Sequence, residues 1–225
     1  MTKKRSKHGR PGTRPAKPQK PKAKPDDRPK GPTQAQRLDA ARQARRQRRT
    51  RLRVAVAIGL IVIIGGVAVW QIQSRRAAQR TIAALTAGTC RYDTKSDPGA
   101  VNQHTPSPTF RVDPPSGGLH EPSPASGGIY TGTSVPPDGR VVHALEHGLI
   151  AISYRPGLPE DELARLEAIA DARPDDVLLL PRPSLEVPVA ATAWHRRLLC
   201  DEVEPKTLRR FVAAYVNKGP ERVPR

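Results

Sequence analysis

The feature that most limits what this chain can become is an uncharged run of 17 residues, Val54 to Trp70 (VAVAIGLIVIIGGVAVW), which reaches 19 when Gln71 and Ile72 are counted. As a helix, 19 residues extend roughly 28 Å, just enough to cross the hydrocarbon of a bilayer. Arg51 and Arg53 close the run on one side and Arg75, Arg76 and Arg80 on the other, while Trp70 suits an interfacial position. A core helix of a soluble protein normally keeps a polar face, and this run has none. Gly59 and the Gly65-Gly66 pair make no clean G-x-x-x-G, so pairing of helices through the membrane has no support.

Charge sets the expected orientation. Residues 1 to 53 carry 20 Lys/Arg against three acids (Asp26, Asp27 and Asp39), so 17 of the 18 net positive charges lie ahead of the apolar run. The positive-inside rule then leaves the N-terminal side in the cytoplasm and exports everything after about residue 74. The basic balance therefore describes a tail and not the folded part. With only two Phe and two Trp there is no base-stacking platform, and export removes the domain from nucleic acid, which is not expected as a partner.

The tail has Pro at 11, 15, 18, 21, 25, 29 and 32 among Lys, Arg, Gly and Gln, a composition that buries too little to order itself. From Thr33 to Arg53 the prolines stop and Ala, Gln, Arg and Leu dominate, which predicts a basic helix lying against anionic lipid headgroups. A cleaved signal peptide would need a basic region of about 50 residues, and no A-x-A site follows the apolar core. In Leu85 to Cys90 the cysteine stands too far from the leucine and from the apolar run for lipid attachment.

The expected organisation is a disordered basic cytoplasmic tail (1–53, helical over 33–53), a transmembrane helix (54–72), a linker (73–89) and a small extracytoplasmic domain (90–225). That domain reads as α+β, with a short sheet and two helices. From Cys90 to about Gly139 the chain is rich in Pro, Gly, Ser, Thr and Asp, which favours turns over helix. Val141 to Tyr154 ends in the strand-like LIAISY, Val177 to Leu180 reads as a short buried strand, and one further strand is expected between Val189 and Leu199. Pro159-Glu160-Asp161-Glu162 opens one helix, with Leu163, Leu166 and Ile169 on its apolar face. Pro205 opens the other, with Leu208, Phe211, Val212 and Tyr215. The two cysteines, Cys90 and Cys200, both fall in the exported part, where thiols oxidise; one disulfide is expected, with free thiols or a thiolate metal site as alternatives.

Chemistry concentrates in DPPSGGLHEP (Asp113 to Pro122) and VVHALEHGLI (Val141 to Ile150), which bring His120, His143, Glu146 and His147 into two short segments. His143 and His147 are four apart and share a face in either a helix or a strand, whereas Glu146 would face elsewhere in a strand. With His120 delivered by a Gly-rich loop, three imidazoles suit zinc or copper, Glu146 serving as fourth ligand or as their partner. Two other readings stand beside this one. The residues can form a buried hydrogen-bonded network that only braces the fold. The spacing H-x-x-E-H also matches the inverted zinc-protease motif, but Gly148 and the strand after it leave too little room for its long helix. His104 and His195 read as isolated polar residues, and His195 beside Trp194 and Arg196-Arg197 can equally serve surface recognition. P-loop, G-x-G-x-x-G, G-x-S-x-G and C-x-x-C motifs are absent, which removes nucleotide-dependent, α/β-hydrolase and thioredoxin-like chemistry.

At these residues the chain resembles an uncharacterised bacterial family, domain of unknown function 3105, whose members pair a P-P-x-x-x-x-H segment with H-x-L-E-H-G. Here those are Pro114 to His120 and His143-Ala144-Leu145-Glu146-His147-Gly148. The likeness continues through Tyr154-Arg155-Pro156, Thr192-Ala193-Trp194 and Gly219-Pro220-Glu221, so it covers most of Asp113 to Glu221. The resemblance implies a membrane-anchored or exported domain with no established activity. The working expectation is an envelope protein whose outer domain binds a transition metal. The alternative is a non-enzymatic domain that contacts another envelope protein.

Overall fold

The computed structural model of the chain describes residues 31–99 and 101–221. The disorder expected of the first 30 residues lies outside the described part. The chain divides after Ile63, within its first helix, into two units.

Helix α1 spans Gln34–Leu85. In the first unit its start is capped reciprocally: the Gln36 N–H donates to Thr33 Oγ1 (3.4 Å) and the Thr33 N–H donates to Gln36 Oε1 (2.9 Å). The basic stretch after Gln34 is helical, as its composition predicts. α1 is long and apolar enough to cross a membrane, and none of its apolar window is buried. Ile61 and Trp70 are each 69% exposed, so these side chains have no protein cover of the kind a soluble core helix has. Arg51, Arg53, Arg75 and Arg76 are likewise exposed. The helix does not stop at residue 72, where a linker is expected. Residues 73–85 are rich in Ala, Gln and Arg and lack Pro and Gly, so nothing there breaks it.

The second unit holds a six-stranded sheet of β1 (Cys90–Asp93), β2 (Gly128–Ile129), β3 (Ile150–Tyr154), β4 (Val177–Pro181), β5 (Val189–Ala193) and β6 (Arg196–Cys200), ordered β1-β6-β5-β3-β4-β2. β3, β4 and β2 run parallel to one another, and the remaining pairs are antiparallel. Three further helices are α2 (Asp138–Glu146), α3 (Glu160–Asp171) and α4 (Pro205–Tyr215). The α+β class stands, with two corrections. Among the described residues the domain has three α-helices and not two, because Asp138 to Glu146, whose sequence leaves helix and strand open, is helical. The single strand expected over 189–199 is a hairpin that turns at Trp194-His195, with His195 in the left-handed region at φ 56°.

Strand alternation explains the layering. Ile150, Ile152, Tyr154, Val177 and Leu179 pack on one face with Leu166 and Ile169 of α3 and Leu208, Phe211 and Val212 of α4. Ala151, Leu178 and Leu180 point to the other face, with Val141, Val142, Ala144 and Leu145 of α2. Leu166, Leu208 and Phe211 have no exposed surface, and each such side chain contributes about 1.5–3 kcal/mol by its burial. Leu85, the last residue of α1, is buried in the first of these clusters. Cys90 and Cys200 form a disulfide at a register pair of β1 and β6.

At the other end of the β1–β6 ladder from the disulfide, Arg197 is buried and pairs twice with Asp93, Nε to Oδ1 at 2.8 Å and Nη2 to Oδ2 at 2.7 Å. Its Nη1 donates to the Asp113 carbonyl at 2.8 Å, drawing the long loop to the sheet edge. These hydrogen bonds hold the Asp93 carboxyl below the usual range. An unfolded Asp titrates at about 3.9, so the pair stabilises fully above that pH, and its contribution is lost as pH falls through the lower folded value. Asp93→Asn is therefore expected to be less stable than the parent at pH 7, with the difference closing as pH falls below the unfolded value of about 3.9. Thermal melts of the full chain in detergent across that range check this.

Candidate metal centre

α2 owes its short length to its ends. Pro137 precedes it, and Asp138 in its first turn takes both Nη1 (2.6 Å) and Nη2 (2.9 Å) of Arg182. Nε of the same arginine pairs with Asp113, which ties the start of the helix to the loop that carries His120. At the other end the N–H groups of Gly148 and Leu149 return to the carbonyls of Leu145 (2.9 Å) and Ala144 (3.0 Å), the paired bonds of a Schellman ending. Gly148 supplies the left-handed residue this needs, at φ 88°. The last full turn thus presents His143 and Glu146, three apart, on one buried side.

The Gly-rich loop meets that side. Residues 103–105 and His120 run together as a short parallel bridge, with the Thr105 N–H on the His120 carbonyl at 2.8 Å. The Asn102 N–H donates to Glu146 Oε1 at 2.8 Å. Trp194 stands edge-on to the His120 ring, with centroids 5.8 Å apart. His195, half-buried, is tied to the Gly-rich loop: its Nδ1 lies 2.6 Å from Ser96 Oγ, its ring packs on Gly117, and its N–H donates to the Ser116 carbonyl at 2.6 Å.

Four donor groups converge as a result. One ligand atom from each of His104, His120, His143 and Glu146 lies within 4.8 Å of the others. His120 and Glu146 have no exposed surface, His143 is buried and His104 is exposed. Backbone carbonyls set the tautomers of the two buried rings. Nδ1 of His120 donates to the Gly118 carbonyl (2.9 Å) and Nδ1 of His143 to that of Glu121 (2.7 Å). Each neutral ring therefore keeps its lone pair on Nε2, the arrangement in which imidazole binds a metal. Burial pushes the His143 pKa down, with the Glu121 hydrogen bond opposing it and the neighbouring His147, His120 and His104 adding to it, so the neutral form is favoured. Nε2 of His120 stands 3.0 Å from Glu146 Oε2. That is ion-pair distance, yet neither atom has a hydrogen-bond partner among the described residues.

Of the expected set, His120, His143 and Glu146 fall in one group and His147 in another. His147 caps α2 one turn beyond His143 and joins a second group, with His143 and Glu221. Its Nε2 lies 3.0 Å from His143 Nε2 and 3.2 Å from Glu221 Oε2. His104 takes the third imidazole place in the buried group, although its sequence neighbours gave no sign of it. Glu221 was visible only as the end of the Gly219-Pro220-Glu221 element. A family model described as "Protein of unknown function (DUF3105)" matches residues 102–224, more than half of the chain. The chain belongs to that family. None of the curated proteins and none of the solved structures compared with it matches. The DUF3105 segment contains every residue of both donor groups.

Gly219 holds the second group in place. A Cβ there would meet the Glu146 carbonyl oxygen at 2.0 Å and the Gly148 nitrogen at 2.4 Å, while Asn217 and Glu221 bond the same helix end through their N–H groups (2.8 and 3.2 Å). Gly219→Ala is expected to push residues 217–221 off α2 and to cost about 1–3 kcal/mol or more. Denaturant unfolding of the full chain measures the loss; a variant as stable as the parent would show that this approach tolerates a methyl group.

Proposed function

We propose that this DUF3105 protein is a single-pass membrane protein whose exported domain binds one divalent transition metal, zinc or copper, on His104, His120, His143 and Glu146. The observation that carries the metal assignment is the buried meeting of His120 Nε2 and Glu146 Oε2, 3.0 Å apart and without hydrogen-bond geometry. With Nδ1 committed to a carbonyl, Nε2 is an acceptor, and an ionised carboxylate oxygen is another. Two buried acceptors in contact repel unless a proton or a cation lies between them. A shared proton favours a nearly straight N–H···O line, whereas a tetrahedral ion sits off the line joining two ligands, whose separation it sets at about 3.3 Å. His143 and His104 each bring a ring nitrogen into the same group, which a proton bridge does not require. Three imidazoles with one carboxylate complete four-coordination, and imidazole suits zinc and copper.

Binding is favoured over hydrolysis. In the H-x-x-E-H arrangement both histidines hold one ion and the glutamate stands apart as base. Here His143 and His147 do group together, with Glu221, but Glu146 does not stand apart: it is buried in the other group, with Oε1 accepting from the Asn102 N–H. The brace reading keeps one supporting observation, the carbonyl bonds on both Nδ1 atoms, and the test separates the two. Purified full-length protein in detergent, stripped and titrated with zinc, is expected to bind one equivalent. A free concentration of 100 Kd should add about 2.7 kcal/mol of stability, and His143→Ala and Glu146→Gln should each weaken binding at least about 10–100-fold. An absence of uptake, with both variants merely less stable, would falsify the metal assignment and leave the brace.

The membrane reading rests on α1 and on the charge ahead of its apolar run. In it the basic first turns of α1 lie on the cytoplasmic leaflet, where each Lys or Arg near anionic headgroups is worth about 1 kcal/mol. Alkaline phosphatase fused after the last residue is expected to be active in bacterial cells, and inactive when fused after Arg53. The opposite pattern would reverse the orientation.

A further inference from the structure

Two donor groups converge on this side of the domain, and they share one residue. His143 belongs both to the group with His104, His120 and Glu146 and to the group with His147 and Glu221. Its Nδ1–H is committed to the Glu121 carbonyl at 2.7 Å, so the ring has a single lone pair to offer. One ion at a time can use it, and the two groups are alternatives for the same metal. They differ in access. His120 and Glu146 have no exposed side-chain surface, whereas the side chains of His147 and Glu221 are 18% and 35% exposed.

The outer group also has the right spacing. His147 Nε2 lies 3.0 Å from His143 Nε2 and 3.2 Å from Glu221 Oε2, close to the separation of about 3.3 Å between ligands of one tetrahedral ion. Two imidazoles and a carboxylate leave a fourth position for water, the composition of an open site. Moving an ion from this group to the inner one needs no free flight through the protein. It keeps its bond to His143 and exchanges the others.

We propose that His147 and Glu221 form an outer capture site for a divalent transition metal, which passes to the buried group by ligand exchange about His143. The proposal rests on the metal reading of the inner group given above. In the transfer the bonds to His147 Nε2, Glu221 Oε2 and water break as bonds to His120 Nε2, Glu146 Oε2 and the His104 ring form. The ion keeps its charge, no electron moves, and the released water returns to solvent. His147 and Glu221 are then left to each other, paired through Nε2 and Oε2. A step on the path lowers the barrier equally in both directions, so its loss slows loading and release by a common factor.

The experiment uses the full-length chain in detergent micelles, zinc as the probe and a zinc-responsive dye in stopped flow to follow loading and release. His147→Ala and Glu221→Gln are expected to slow both rates by the same factor, about tenfold, while His120→Ala raises Kd. Glu221→Gln keeps the backbone contact of residue 221 and so guards against misfolding of the histidine variant. Parent protein that takes up no zinc overturns the metal reading itself. Parent uptake with unaltered rates in both variants overturns the capture site alone and places loading on the exposed His104 side. Weaker binding with an unaltered loading rate makes His147 a ligand of the final site and overturns the proposal equally.

Discussion

Two interior strands, β3 and β4, are covered on both faces, and the rest of the domain follows from that demand. A strand buried on both sides must be apolar along nearly its whole length, as Ile150–Tyr154 (Ser153 apart) and Val177–Pro181 are, and it needs two layers to cover it. α3 and α4 supply one layer from long amphipathic helices. The other face is left to a nine-residue helix and the turn-rich segment before it. So short a helix cannot cover a sheet alone. The loop must fold over it, and that folding brings His104 and His120 onto His143 and Glu146.

Polar groups placed in such a layer are costly, and the cost is managed here atom by atom. Glu146 has one oxygen satisfied by the Asn102 N–H, and each buried histidine has one nitrogen satisfied by a backbone carbonyl. What remains is a set of lone pairs aimed at one another. A brace is built so that every donor meets an acceptor; a ligand set is built so that acceptors meet each other. At the most deeply buried polar position two acceptors, His120 Nε2 and Glu146 Oε2, meet each other, whereas at Arg182 and Arg197 the guanidinium groups lie among carboxylates and a carbonyl.

Much of this was legible in the sequence, and the parts that were not share a physical reason. Period and composition located α3, β4 and α4, because Pro and acidic residues marked the helix starts and unbroken apolar runs marked the strand. They merged α2 with β3, since V-V-H-A-L-E-H-G-L-I-A-I-S-Y is apolar almost throughout and the boundary depends on one left-handed glycine, Gly148. They missed the hairpin turn because His195 sits where Asn or Gly is usual. In the site, His120, His143 and Glu146 were found because they cluster along the chain. His104 and Glu221 were not, because their places depend on the bridge at His120 and on the passage of Gly219 across α2, contacts between residues far apart in sequence.

The disulfide has a consequence of a mechanical kind. β1 is the edge strand, five residues beyond the end of α1, and edge strands come away from a sheet one hydrogen bond at a time when pulled from an end. Cys90 is the first residue of β1 and is bonded to Cys200, the last of β6. Tension arriving along the polypeptide from α1 therefore reaches a covalent bond before it reaches any hydrogen bond of that strand. The load passes sideways into β6, inside the sheet, and the strand cannot be peeled until a thiol exchanges. A domain loaded through that helix keeps its fold, and only a reducing environment would remove the safeguard.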